Sequence, residues 1–168
     1  YYKFTFVRNP FARLVSCYED RYIKDQRRMD KGKVDALYFN KYLFGYIKNV
    51  ESFDEFVRKI VRLPNFLHDK HFFPQYNLIY GRNGKCAVDF VGKLKKIDEQ
   101  FPPIQERFGL RPLPHKNRTV KGDWRNFYTL ETAELVRKKY AKDISAFGYE
   151  GEYEKLIAYI NRKETGAA

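Results

Sequence analysis

YKFTFVRNPFARLVS, residues 2–16, has the pattern of a β-strand followed by a tight turn and a helix. Tyr2–Val7 is rich in aromatic and β-branched residues, which favours a strand. Asn9 is a preferred helix N-cap, and Pro10 suits the first helical position, where its missing N–H is no loss. Apolar side chains then recur at helical spacing, so the sequence predicts a helix that runs to about Gln26. Together these signals predict a βα unit at the start of the chain.

The rest of the chain is predicted to be mainly helical, with one further strand. Ser52 and Glu55 have the spacing of a capping box at the start of an amphipathic helix that Pro64 ends. The second strand is predicted at Ala87–Val91, closed by Gly92. The other predicted helices lie at Leu37–Lys48, at Pro103–Gly109, after Thr129 and around Tyr153–Ile160.

Length and composition predict one helix-rich α/β domain. The chain has 168 residues, of which 43% are hydrophobic and 18% aromatic, and this ring content excludes a disordered tail. We expect a single domain over residues 1–164 and a frayed tail at residues 165–168. Because a sheet of two strands is marginal by itself, we expect further strands to be supplied from elsewhere.

The charge of the chain points to an anionic partner. There are 33 Lys and Arg against 21 Asp and Glu, which gives a net charge of +12. This excess favours nucleic acid, a phosphorylated or sulfated small molecule, an acidic glycan or an anionic membrane surface, without choosing among them. No apolar run approaches the roughly 20 residues that a membrane span needs. Cys17, Cys86 and the three His lack the spacing of a metal site, so we expect no metal.

The turn after the first strand is the candidate anion site. A helix N-terminus presents N–H groups and a positive dipole end, and Arg8 adds a guanidinium there. Arg13 and Ser16 lie three residues apart on the predicted helix, hence on one face. The alternative interpretation is that the two arginines pair with surface acids such as Glu19 or Asp20.

Residues 8–16, RNPFARLVS, closely resemble the 3′-phosphate-binding motif of carbohydrate sulfotransferases that use PAPS (3′-phosphoadenylyl sulfate, the activated sulfate donor). Further similar segments follow in the order that this family has. They are DKHFFPQ at residues 69–75, VDFVGK at 88–93, a loop at 117–119 and YAKDISAFGY at 140–149. The resemblance covers roughly residues 4–149.

This resemblance implies a P-loop-kinase-like sulfotransferase fold. It also implies that a sulfuryl group moves from PAPS to a saccharide hydroxyl, as in the chondroitin, dermatan, HNK-1 and heparan 2-O enzymes, with PAP (adenosine 3′,5′-bisphosphate) as product. Arg8 and Ser16 would hold the 3′-phosphate. The loop Lys116-Asn117-Arg118-Thr119 would close over the nucleotide, although a solvated basic turn is the alternative.

Two further residues have open interpretations. His71 would line the acceptor site or act as a catalytic base, and the alternative is a core-edge His that bonds to the backbone. Lys93 would face the sulfuryl group or, as we expect, project into water. His68 and His115 have no support as functional residues.

The chain also departs from the family pattern. The family's loop for the 5′-phosphosulfate has no counterpart at the Gly-Lys pairs of this sequence. The family's main base, a His, also precedes the 3′-phosphate motif. We therefore expect the chain to be the C-terminal portion of a longer enzyme, incomplete at its N-terminus and inactive alone, with its main base upstream of Tyr1. The family's Cys pair is missing near Cys86, which favours a bacterial cytoplasm. The Golgi lumen is the alternative if an anchor precedes the chain.

A rival interpretation is a basic module that binds nucleic acid or an acidic glycan without catalysis, since cations and exposed aromatic rings bind single strands. No nucleic-acid motif is present, and most aromatic residues have core spacing, so we expect a saccharide partner and no specific nucleic acid. A third interpretation is a non-catalytic sulfotransferase-like domain.

Overall fold

The structure is a computed structural model that describes residues 1–23, 45–47, 50–81, 83–113 and 122–166. The predicted helix at Leu37–Lys48 lies largely outside these residues. The loop Lys116–Thr119 and His115 lie entirely outside them.

Helices dominate the described residues, which confirms the predicted helix-rich α/β class. In chain order the strands and α-helices are β1 (Phe4–Val7), α1 (Pro10–Cys17), α2 (Phe53–Arg62), α3 (Gln75–Ile79), β2 (Phe90–Lys93), α4 (Ile97–Gln100), α5 (Pro102–Phe108), α6 (Leu130–Lys139), α7 (Ala141–Phe147) and α8 (Glu150–Glu164). Short 3-10 turns lie at Asn65–Leu67, Leu94–Lys96 and Trp124–Phe127. In the part of the chain that the structure describes, no helix is both long and apolar enough to cross a membrane.

The βα unit at the start of the chain is confirmed. The Asn9 side-chain oxygen accepts a hydrogen bond from the Phe11 N–H at 2.9 Å, and Pro10 occupies the first helical position. The α-helix ends at Cys17, and a π-helical segment follows it over Tyr18–Ile23. The remainder of the helix predicted to reach Gln26 lies outside the described residues.

The two strands pair in parallel, and the predicted bounds of the second strand are wrong. It covers Phe90–Lys93 instead of Ala87–Val91, with Phe4 opposite Phe90 and Val7 opposite Lys93. Gly92 lies inside the strand, opposite Phe6, and does not close it. A Cβ at Gly92 would come within 2.4 Å of the Phe6 ring, so the close approach of that ring requires glycine.

Helix starts agree well with the sequence signals. The Ser52 hydroxyl accepts from the Glu55 N–H at 3.2 Å, as predicted, whereas the Glu55 carboxylate accepts from the Glu51 N–H instead of the Ser52 N–H. Thr129 caps α6 with Thr132 in a reciprocal pair. Each cap satisfies N–H groups in the first turn and so fixes where the helix begins.

The core lies between α1, α2, α6 and α8. Phe11 is completely buried, and its ring contacts the rings of Trp124, Tyr128 and Tyr153. The buried Tyr128 hydroxyl donates to the Phe11 carbonyl at 3.0 Å. Burial of the α1 face therefore holds the end of β1, and the turn after it, in a fixed place.

Candidate functional site

A pocket of about 330 Å³ lies where β1 ends and α1 begins. Its volume is in the range of small-ligand pockets, roughly 300–1,000 Å³. The pocket also lies at the carboxyl end of a parallel strand, which is the common ligand position in α/β sheets. Its lining combines charged and polar side chains with apolar ones: Arg8, Arg13, Ser16, Asp20, Lys70, His71 and Gln75, with Phe6, Cys17 and Leu94. The structure thus brings Arg8, Ser16 and His71 to one pocket.

The Arg8 guanidinium is half-buried beside this pocket. No carboxylate among residues 1–23, 50–81, 83–113 and 122–166 forms an ion pair with it. Burial, and then the nearby charge of Arg13, lower the pKa of Arg8, while Glu19 and Tyr149 act in the opposite direction. An arginine stays charged despite such a shift. A partly dehydrated cation without a paired acid favours an anionic ligand.

Arg13 is engaged by the main chain of the segment that carries His71. Its Nη1 donates to the Phe73 carbonyl at 2.7 Å, and its Nη2 donates to the Lys70 carbonyl at 2.8 Å. The alternative interpretation, that Arg8 and Arg13 pair with surface acids, is therefore wrong for the described carboxylates. Arg13 instead ties α1 to residues 70–73.

The Arg8 main chain is held from a distant part of the sequence. Gln75 donates from Nε2 to the Arg8 carbonyl at 2.8 Å and accepts from the Arg8 N–H at Oε1 at 2.9 Å. The Tyr149 hydroxyl donates to the Val7 carbonyl at 3.2 Å. These three bonds fix the backbone from which the Arg8 side chain extends.

Side chains line the pocket, and two N–H groups at the start of α1 are already hydrogen-bonded. The Phe11 and Arg13 N–H groups donate to the side chain and the carbonyl of Asn9, and Pro10 has no N–H. Among the α1 residues, the lining begins at Arg13, followed one turn later by Ser16. The role of the helix N-terminus as an anion site stays a prediction.

His71 lies in the pocket beside a buried carboxylate. Its N–H donates to Asp69 Oδ1 at 2.9 Å, and its ring Nδ1 contacts the same oxygen. Asp69 is only 7% exposed. A carboxylate on Nδ1 orients the imidazole and selects its tautomer, as in acid–base sites.

Lys93 does not project into water, so that expectation is wrong. Its Nζ donates to the Gly148 carbonyl at 2.9 Å and lies 4.9 Å from the centre of the Tyr149 ring. Carbonyl groups at helix C-termini attract such cations, which is why the side chain turns toward the end of α7.

His68 lies outside the pocket and has a structural role. Its Nδ1 faces the Phe72 carbonyl, and its Nε2 faces the carbonyls of Ile60 and Leu63. Lys139 also donates to the Leu63 carbonyl. His68 therefore closes the C-terminal end of α2 against the following loop.

We expect the unfolding free energy to fall as the pH is lowered from about 7 to 5, the range in which histidine titrates. Burial, and next the charge of Lys139, lower the pKa of His68 from its ordinary value of 6.5. At pH values below 6.5, the unfolded chain binds more protons than the folded chain. The free energy of unfolding is therefore highest above pH 6.5 and falls as the pH drops toward the lower pKa of His68 in the folded chain. Urea titrations at both pH values should show this loss, and His68→Gln should reduce it. An unchanged pH difference in the variant would contradict the assignment to His68.

Sequence reasoning missed several members of the site. Lys70 and Gln75 lie in the DKHFFPQ segment that carries His71, but no role was predicted for either. Their placement beside Arg8 depends on a contact between residues 67 positions apart. The motif itself was the available signal, because Lys70 and Gln75 lie in the same short segment as His71.

Residues 1–150 match the model of the sulfotransferase family. The chain belongs to this family. It is 30% identical to carbohydrate sulfotransferase 14 of Danio rerio, over 89% of this chain and 44% of that protein. It is 28% identical to carbohydrate sulfotransferase 12 of Mus musculus, over 89% of this chain and 40% of that protein. An uncharacterized protein of Archaeoglobus fulgidus is 34% identical over 66% of this chain and 69% of its own length. No solved structure matches the chain.

The chain spans less than half of the length of the carbohydrate sulfotransferases named above. These relatives come from vertebrates and an archaeon, so they do not support the expected bacterial cytoplasm.

Proposed function

We propose that the protein is part of a carbohydrate sulfotransferase whose pocket binds the 3′-phosphate of PAPS. The observation that carries this proposal is the half-buried Arg8 guanidinium, which has no paired acid among the described residues and faces a pocket that Ser16 also lines. A guanidinium forms two parallel hydrogen bonds to a phosphate, and a serine hydroxyl donates a third.

The charges of the pocket fit an anionic ligand. Among the described residues of the lining, Arg8, Arg13 and Lys70 supply positive charge against a single acidic residue, Asp20. Two guanidinium N–H groups of Arg13 are already used by main-chain carbonyls, so Arg8 is the better phosphate ligand. A phosphate here would reduce the repulsion between Arg8 and Arg13.

PAPS, when bound, supplies the activated sulfuryl group. His71 would take the proton from the acceptor hydroxyl at its Nε2, because Asp69 engages the other ring nitrogen. Asp69 would stabilise the imidazolium that forms. The acceptor that the carbohydrate sulfotransferase relatives imply is a saccharide, and the basic surface would attract an acidic glycan.

Other parts of the site remain predictions. The loop Lys116-Asn117-Arg118-Thr119 would cover the nucleotide, and a loop outside this chain would bind the 5′-phosphosulfate in a P-loop-kinase-like fold. The resemblance to Golgi enzymes favours the Golgi lumen as the compartment.

Calorimetry with PAP and adenosine 5′-phosphate tests the proposal. The two nucleotides differ in the 3′-phosphate, so we expect PAP to bind at least tenfold more tightly, a difference of about 1.4 kcal/mol. Equal affinities would remove the 3′-phosphate site. Salt-sensitive binding of an oligonucleotide that PAP does not displace would instead favour a basic nucleic-acid module.

A further inference from the structure

Asp143 is a carboxylate with no exposed surface, and it lies outside the lining of the pocket. It accepts three hydrogen bonds from the start of α3. The Gln75 N–H donates to Oδ2 at 2.8 Å, the Tyr76 N–H donates to Oδ1 at 2.8 Å, and Gln75 Nε2 lies 3.4 Å from Oδ2. A buried carboxylate is stable only when its oxygens are satisfied in this way.

The third of these contacts favours the same orientation of the Gln75 amide as its two bonds to Arg8. Nε2 lies between two acceptors, the Asp143 carboxylate and the Arg8 carbonyl, whereas Oε1 faces the Arg8 N–H. If the amide were reversed, Oε1 would face the carboxylate and the carbonyl, and Nε2 would face a donor. The negative charge of Asp143 therefore favours the one orientation in which Gln75 holds Arg8 from both sides.

We propose that Asp143 is a positioning residue for the nucleotide pocket, acting through Gln75 on the main chain of Arg8. The inference rests on the proposed function, because Asp143 would act on how Arg8 binds a 3′-phosphate. Three motifs that lie far apart in the sequence then act together. Arg8 in the first binds the phosphate, Gln75 in the second hydrogen-bonds to the Arg8 main chain, and Asp143 in the third orients Gln75.

Asp143→Asn tests the inference, because the amide replaces one acceptor with a donor. A displaced Arg8 backbone misdirects the guanidinium, and small misplacements of a binding group have large effects. We expect the preference for PAP over adenosine 5′-phosphate, measured by calorimetry, to fall roughly tenfold, while the affinity for adenosine 5′-phosphate changes less than about twofold. A role in folding alone would leave that preference unchanged.

Thr132→Val is the matched control, because Thr132 is equally buried and its hydroxyl bonds only within the cap of α6. It should lower thermal stability and keep the nucleotide preference. If Asp143→Asn does not fold, Gln75→Met decides, since it removes the contact with Arg8 and leaves the main-chain bonds to Asp143.

The outcomes separate the two proposals. An intact preference in Asp143→Asn, or in Gln75→Met where the first variant does not fold, overturns the positioning role and leaves the proposed function standing. Absence of the preference in the wild-type protein overturns the proposed function itself.

Discussion

Arg8→Ala is expected to raise the Kd for PAP at least a hundredfold. Hydrogen bonds to charged groups contribute about 1.5–3 kcal/mol each, and a guanidinium makes two to one phosphate. A loss of about 3 kcal/mol corresponds to a factor of roughly a hundred. Because the wild-type guanidinium is half-buried and not ion-paired with the described carboxylates, removing it breaks no internal salt bridge. We therefore expect the protein to stay folded, so that the loss is one of binding.

Arg62→Ala is the matched control for this experiment. Arg62 is exposed at the end of α2, outside the pocket lining, so the variant loses the same charge without changing the site. Its affinity for PAP should stay within about twofold of the wild type, as surface charges are largely screened. If Arg8→Ala and Arg62→Ala bind PAP equally well, the long-range charge of the protein binds the nucleotide and the pocket does not.

The βα unit could be predicted because its signals are local. Asn is a preferred N-cap and Pro suits the first helical position, and the structure confirms both residues in those positions. The bounds of the second strand could not be predicted in the same way. From the sequence alone, Gly92 is typical of a strand end. In the structure it lies inside the strand, where the Phe6 ring of the neighbouring strand leaves no room for a Cβ.

In the candidate site, too, local signals could be predicted and long-range contacts could not. Arg8, Ser16 and His71 were predicted as candidates from short motifs, and they line one pocket. The connections between the motifs could not be predicted, because they join residues that are 67 or 68 positions apart. Periodicity and composition contain no information about which buried amide meets which carboxylate.

Hydrogen bonds join three of the motifs in this structure. Gln75 and Asp143 form a buried hydrogen-bond network that ends on the Arg8 main chain. Each member satisfies polar groups that would be costly to bury alone. A change in one of these motifs would thus leave polar groups of the others unsatisfied.

His71→Gln is expected to lower the rate constant of sulfuryl transfer by about a hundredfold or more, the usual contribution of a positioned base. Glutamine is similar in size and keeps polar atoms near Asp69, but it cannot take a proton. The Kd for PAP should stay within about threefold, because Arg8 and Ser16 are the residues proposed to hold the 3′-phosphate. The measurement is kcat and KM with PAPS and a desulfated glycan as acceptor, together with calorimetry for PAP.

His68→Gln is the control for this variant, since His68 lies three residues away and outside the pocket. It should lower stability and leave kcat unchanged. If the kcat of His71→Gln stays within about threefold of the wild type, the decrease is far smaller than the loss of a catalytic base produces. That result would show that His71 is not the catalytic base. A raised KM for the glycan with unchanged kcat would instead identify a role of His71 in binding the acceptor, because it marks binding energy that is equal in the ground and transition states.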